Sequence, residues 1–339
     1  MPPLRKPELL HLFEEALRAS SLSFLKLSGG GDHPATYQIL GQNESFRLRV
    51  YIWNLTFGGR VSLPDEWRIQ VTGLPEFDGH QRFIRETGGK TAILGWCADL
   101  GVYAAYDIGY HLDPLGGSPS IQIRQPALES ARLNGLAHHF RGAEEVAFAV
   151  RPSYMGVYLA NMEELHACGS SEEALRLLEQ ISADPDSVAE AEIEERAPAP
   201  RKYAVISARK ALREADFRGR VLTAYSNSCA MCGVQLRLLD AAHILPAAHP
   251  DSTDETRNGI ALCASHHRAF DRGLVTFDSG FHIHRNEEME RELVRSGLDG
   301  GIDDFRNSLF PMIEVPPNRS DRPAEGFIQQ VNEMRGWRF

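Results

Sequence analysis

The feature that most constrains this chain is a pair of short ligand spacings toward its C-terminal end. Cys229-Ala-Met-Cys232 and Cys263-Ala-Ser-His266 each set two soft ligands three residues apart. That spacing lets both side chains of one turn face a single ion, and four nitrogen or sulfur ligands close a tetrahedral structural site. One such pair is a weak signal; two that bracket His243-Ile and Asn258-Gly are a strong one. They predict a structural Zn2+ held by Cys229, Cys232, Cys263 and His266, stapling a module too small to have much core. The competing reading is a set of reduced, buried thiols. Four protein ligands leave this zinc no open position, so chemistry needs a separate group to activate water and a hard cation for phosphate.

The surrounding residues read Leu238-Leu-Asp240-Ala-Ala-His243-Ile and Asn258-Gly-Ile-Ala-Leu-Cys263-Ala-Ser-His266-His267-Arg-Ala-Phe-Asp271. They resemble the HNH (ββα-metal) endonuclease family, especially a restriction-enzyme branch with an Ala-Ala-His-Ile core and a His-His-x-x-Phe-Asp ending. The resemblance covers about residues 203–339 and includes a Pro-rich tail, here Val315-Pro316-Pro317 and Arg322-Pro323. It implies that His243 is the general base and that His267 ligates a catalytic divalent cation, Mg2+ or Mn2+. It implies for Asn258 either orientation of the active-site loop or a share in that metal site. An imidazole can take a proton near neutral pH, and a divalent ion stabilises the charge of an in-line displacement at phosphorus. The chain departs from the family at Ala242, where many members carry an Asp or His as second metal ligand. Asp240 is then the nearest carboxylate and Asp271 the other, although Asp271 reads equally well as a helix-face acid. His249, His282 and His284 read as bystanders.

The net charge of −10 argues against a nucleic-acid binder, but its distribution reverses that. Residues 201–285 hold 12 basic and 8 acidic side chains, about +4, leaving about −14 elsewhere. Screening beyond roughly 8–10 Å lets a local basic face bind phosphate despite an acidic total. Five cysteines and no apolar leader at the N-terminus point to a cytoplasmic protein without disulfides, and no apolar run is long enough for a membrane. Cys97 and Cys168 read as buried small residues.

The fold class expected is α+β: a mixed N-terminal sheet domain over residues 1–180, an acidic Pro/Ala linker over 181–200, and the HNH endonuclease domain over 201–339. Helical spacing marks 7–19, and further helices are read near 126–139, 152–166 and 203–224; alternation marks strands in 46–53 and 67–71, 92–96 and 102–106 read as a hairpin, and 120–124 and 145–150 as further strands. Arg47, Arg49, Tyr51, Trp53, Arg60, Trp67 and Arg68 interleave as either a half-buried sheet or a DNA-reading face. Asp107 with Gln122 and Arg124 faintly resembles another nuclease fold lacking its lysine, and Gly29-Gly30-Gly31-Asp32 is a turn or a phosphate cradle.

Together these readings predict a restriction or defence endonuclease acting on DNA, presumed by its class to be double-stranded, with the N-terminal domain choosing the target, modified DNA among the options. A homodimer suits duplex cleavage by a single-site module. The resemblance implies 5′-phosphate and 3′-hydroxyl ends. The alternatives are a ligand-gated effector nuclease and a non-catalytic zinc-stapled DNA-binding module.

Overall fold

The computed structural model describes residues 2–20, 22–28, 33–41, 45–77, 79–117, 119–142 and 145–339. The glycine run Gly29-Gly30-Gly31-Asp32 lies outside the described residues. The chain forms two compact units, Met1–Ala215 and Asp216–Phe339. Among the described residues, no helix is long and apolar enough to cross a membrane.

Unit 1 opens with helix α1 (Lys6–Ala19), started by Pro7 and a Glu8 side chain that returns to the Arg5 backbone. Its strands are β1 (Ser23–Lys26), β2 (Ala35–Leu40), β3 (Ser45–Phe57), β4 (Glu66–Gln70), β5 (Lys90–Cys97), β6 (Val102–Tyr106), β7 (Ser120–Arg124), β8 (Leu136–Gly142) and β9 (Glu145–Val150). They join one sheet in the order β1-β2-β3-β5-β6-β9-β8, with β4 pairing the far end of β3 and β7 pairing β4. β3 and β5 run parallel; the other pairs are antiparallel.

Strand alternation gives this sheet two apolar faces. Leu48, Val50 and Ile52 of β3 face one core, with Leu94 and Phe148, beneath helices α1 and α3 (Met155–Ala167). Tyr51, Trp53 and Leu55 face a second core with Ile93, Tyr106 and Ile123. The interleaved aromatics are therefore interior: Tyr51, Trp53 and Trp67 are buried. Arg47 and Arg49 pair with Glu86, and Arg60 pairs with the buried Glu66. The half-buried sheet describes these residues; a reading face made of their rings does not.

Two segments differ from the sequence expectation. The helix expected over 126–139 is α2 (Gln125–Asn134), which stops at Gly135 with φ of 93°. A side chain there would strike the Tyr154 ring, so glycine ends the helix and Leu136 begins β8. Residues 181–200, expected as a linker, instead follow α4 (Glu172–Ala183) with helix α5 (Glu190–Arg196) and bury Val188, Ile193 and Ala197 in the first core. The division between units falls farther on, inside helix α6 (Ala199–Ala224).

Unit 2 holds the ββα element that positions the site. β10 (Leu239–His243) pairs antiparallel with β11 (Gly259–Cys263), which runs directly into α7 (Ala264–Asp271). The register sets Leu239 opposite Cys263 and His243 opposite Gly259. A second hairpin, β12 (Val275–Phe277) with β13 (Ile283–Arg285), follows. Phe217 and Val221 of α6 pack on β11 exactly where Gly259 has no side chain: an added methyl would overlap Val221 Cγ2 and sit 3.1 Å from the Phe217 ring. Gly259→Ala should therefore lower the melting temperature of the full chain, at a cost of about 1–3 kcal/mol or more. A differential scanning measurement with no shift would show that α6 does not rest on β11.

Candidate metal centre and active site

Cys229 and Cys232 lie on a tight turn closed by Gly233, whose φ of 73° and closeness to Phe310 suit glycine. The Gly233 N–H donates to the Cys229 carbonyl at 2.8 Å. Cys263 ends β11 and His266 sits in the first turn of α7, so three separate elements deliver four ligands. Their ligand atoms all lie within 4.8 Å of one another. Cys263 Sγ is 3.3 Å and Cys229 Sγ 3.6 Å from His266 Nδ1, and the Cys232 and Cys263 sulfurs are 4.0 Å apart. A tetrahedral metal–thiolate centre sets such separations at about 3.3–3.8 Å; the two distances to His266 fall in that range and the Cys232–Cys263 pair lies just beyond it, so the cluster could hold a metal ion. Burial pushes the Cys229 thiol up and the Cys232 thiol up to about 12, and it lowers His266. Three thiolates here need a cation to hold their charge. His266 Nε2 is braced by the Ser308 hydroxyl at 3.3 Å, as outer partners orient a metal-bound ring.

His243 ends β10. Its ring stacks on Phe217 at 4.0 Å between centroids and 10° between planes, while its Nε2 lies 2.9 Å from Asp254 Oδ1. Asp254 sits in the loop between the two strands, and Asn258 pins that loop. The Asn258 side chain is fully buried. Its Oδ1 accepts from the Leu245 N–H at 2.9 Å. Its Nδ2 donates toward the Thr253 carbonyl at 2.8 Å, Ser252 Oγ at 3.0 Å and the Leu245 carbonyl at 3.3 Å. Both amide hydrogens and the oxygen are thus committed. All of these bonds tie Asn258 to the loop between β10 and β11.

His267 follows His266 on α7 and lies between two carboxylates. Its Nδ1 is 3.2 Å from Asp240 Oδ2 and its Nε2 is 3.3 Å from Asp271 Oδ2, one helical turn along. The Asp240 hydrogen bond, then the charge of Asp271, raises His267; the same bond, aided by Arg218 and Arg268, lowers Asp240. Ala242 itself is buried in the unit 2 core, whereas the Asp240 side chain is about half exposed. Two carboxylates and an imidazole suit a hard divalent cation.

The sequence reading grouped His267, Asn258 and Asp240 at the catalytic cation with Asp271 as the other candidate carboxylate; the structure sets both Asp240 and Asp271 beside His267, and the reading missed Asp254 and Phe217. Both reach His243 across the fold, from 11 and 26 residues away, and no spacing rule connects them. The bystanders have local partners: His249 Nδ1 accepts from the Asp251 N–H, and His282 and His284 both bond Asp278. Cys97 and Cys168 are buried as expected. In unit 1, Asp107 accepts from the Gly109 N–H, Gln122 accepts from Arg60, and Arg124 pairs with Asp65, so those three form no common site.

Residues 229–278 match the family model described as HNH endonuclease, and residues 46–159 match one described as Methylase-associated X1. No curated protein matches the chain. Among solved structures, one titled "Modification dependent TagI restriction endonuclease" matches over 84% of this chain and 80% of that one, at 13% identity and a TM-score of 0.29.

Asn258→Ala would leave the Leu245 N–H and the Thr253 carbonyl without their partner. Each buried group so orphaned costs about 1–3 kcal/mol. Thermal unfolding should show a clear loss of stability, and the His243–Asp254 contact should loosen, seen as altered His243 ring shifts by NMR. An unchanged melting temperature would mean that Asn258 does not hold the loop.

Proposed function

We propose that this protein, which is an HNH endonuclease, hydrolyses phosphodiester bonds of double-stranded DNA as a restriction-type enzyme with His243 as general base. The observation that carries this reading is the His243–Asp254 pair stacked on Phe217. The stack fixes the ring plane, and the carboxylate offsets the charge the imidazole gains when it takes a proton from water. Asp240 and His267 would hold a catalytic Mg2+ or Mn2+, with Asp271 as an added carboxylate. That ion, when bound, supplies charge stabilisation at the scissile phosphate and leaving oxygen. Cys229, Cys232, Cys263 and His266 would hold Zn2+ as a structural ion, since three thiolates and an imidazole are its habitual donors. The Asp240–His267 contact supports catalysis over the reading of a binding-only remnant, which rested on Ala242.

The family description attached to residues 46–159 supports unit 1 as the part that selects the target, with modified DNA as the substrate class. Contacts to the backbone position a nuclease, whereas base contacts specify where it cuts. A flipped base can carry a modification into a reader pocket. Three clustered thiols favour a reducing compartment and hence the cytoplasm. Cutting both strands with one site per chain favours two copies acting together.

Purified protein with plasmid DNA and Mg2+ or Mn2+ should cut, with a preference between unmodified and cytosine-modified plasmid, and His243→Ala should lose at least about 100-fold in rate. Equal cutting by wild type and variant would remove His243 from the mechanism. Absence of cutting on every substrate with either metal would remove constitutive nuclease activity.

A further inference from the structure

The C-terminal tail builds a second cleft in unit 2, of about 370 Å³, that the chemistry above does not use. Arg257, Arg319 and Arg322 line it together with Ser279, Phe281 and Glu325. Arg257 belongs to a short turn (Thr256–Asn258) that packs against the tail turn Arg319–Asp321. The Ala324 N–H donates to the Arg257 carbonyl at 3.0 Å, tying the start of helix α8 (Glu325–Met334) to the same place. Arg322 is aimed by backbone: its Nε donates to the Pro316 carbonyl at 2.9 Å and its Nη2 toward that of Pro317 at 3.5 Å. The Pro-rich stretch and the Arg-Pro step thus have a physical role, the orientation of a guanidinium.

The charges here are not neutralised from within. Arg220, Arg285 and Arg306 of unit 2 each pair with a carboxylate. Among the described residues, Arg257, Arg319 and Arg322 pair with none. The one acid in the lining, Glu325, accepts from Gln329 at 2.8 Å along its own helix. Three guanidinium groups converging on one space repel each other until an anion occupies it, and their planar donors match phosphate oxygens. Helix α8 begins at the same cleft without a side-chain cap, which adds backbone N–H groups and the positive end of its dipole.

The cleft is close to the proposed reaction centre along the chain. Gly259 pairs with His243 in register, and Arg257 is two residues before Gly259, so the Arg257 and His243 Cα atoms are at most about 13 Å apart. We propose that Arg257, Arg319 and Arg322 form a subsite for a backbone phosphate of the DNA strand, flanking the bond that is cut. The proposal rests on the nuclease reading and adds to it a contact that sets the strand's register without reading sequence.

The test uses the full chain in a His243→Ala background, so that binding is measured without cleavage. Arg319→Gln and Arg257→Gln remove side chains that pair with no carboxylate among the described residues, and a melting curve confirms that each variant folds. The affinity for a short duplex is followed against salt concentration. Each lost phosphate contact should make the slope of log K against log salt less steep by about 0.9, with weaker binding on every sequence. In the cleavage-competent background, KM should rise more than kcat falls. An unchanged slope and affinity in both variants would overturn the subsite even if the wild type cuts DNA. A changed slope with no cutting by wild type would keep the subsite and fail the nuclease reading instead. Inorganic phosphate at matched ionic strength should compete no better than chloride; strong competition would make this a free-phosphate site and overturn the DNA assignment.

Discussion

The geometry of unit 2 depends on the meeting of Cys229, Cys232, Cys263 and His266. Three of these side chains are buried, and burial alone would leave the thiols neutral and the cluster without charge–charge attraction. A cation reverses that balance, because it replaces the thiol protons with bonds to one centre. The consequences run outward along the backbone. Cys263 is the last residue of β11, so fixing it fixes the strand that carries Gly259 opposite His243 and Leu239 opposite Cys263 itself. His266 lies beside His267, so the bond that orients the first also sets the helical turn that presents the second to Asp240 and Asp271. In this small module the four-ligand cluster and the His267 carboxylate pair thus rest on neighbouring residues.

The same economy explains the division of labour between histidines. His266 faces inward and is braced by Ser308; His267, one residue on, is half-exposed and flanked by acids. His243 takes its orientation from a third source, the face of Phe217 and the carboxylate of Asp254. Gly259 is where these arrangements meet. Its missing side chain admits Phe217 and Val221 against β11, and Phe217 in turn is what His243 lies on. The buried Asn258 beside it holds the loop that brings Asp254 back to the ring.

What was legible in the sequence was what depends on local spacing. Ligands three residues apart, an apolar stripe on α1 and the short apolar runs of β5 and β6 each need only a short window, and each is present in the structure. What was not legible depends on contacts between distant residues. Asp254 and Phe217 carry no motif, and they matter only because the fold sets them around His243. The helix expected to run to 139 stops at Gly135 because Tyr154, far along the chain, occupies the space a side chain would need. Residues 181–200 read as a linker because they are acidic, Ala-rich and broken by Pro185, Pro198 and Pro200, and the buried Val188, Ile193 and Ala197 show no apolar period. In unit 1 the alternating Arg and aromatic residues fit a surface or an interior equally well by pattern, and the second core on the far face of the sheet decides for the interior.

The central claim is that one metal centre holds the module together while a different, exchangeable ion serves the reaction. The most direct measurement follows bound zinc and DNA cleavage in the same sample through brief treatment with EDTA and gel filtration. The account predicts that about one zinc per chain is retained, that cleavage stops, and that Mg2+ or Mn2+ alone restores it. Loss of zinc in step with activity, with only zinc able to restore both, would contradict it.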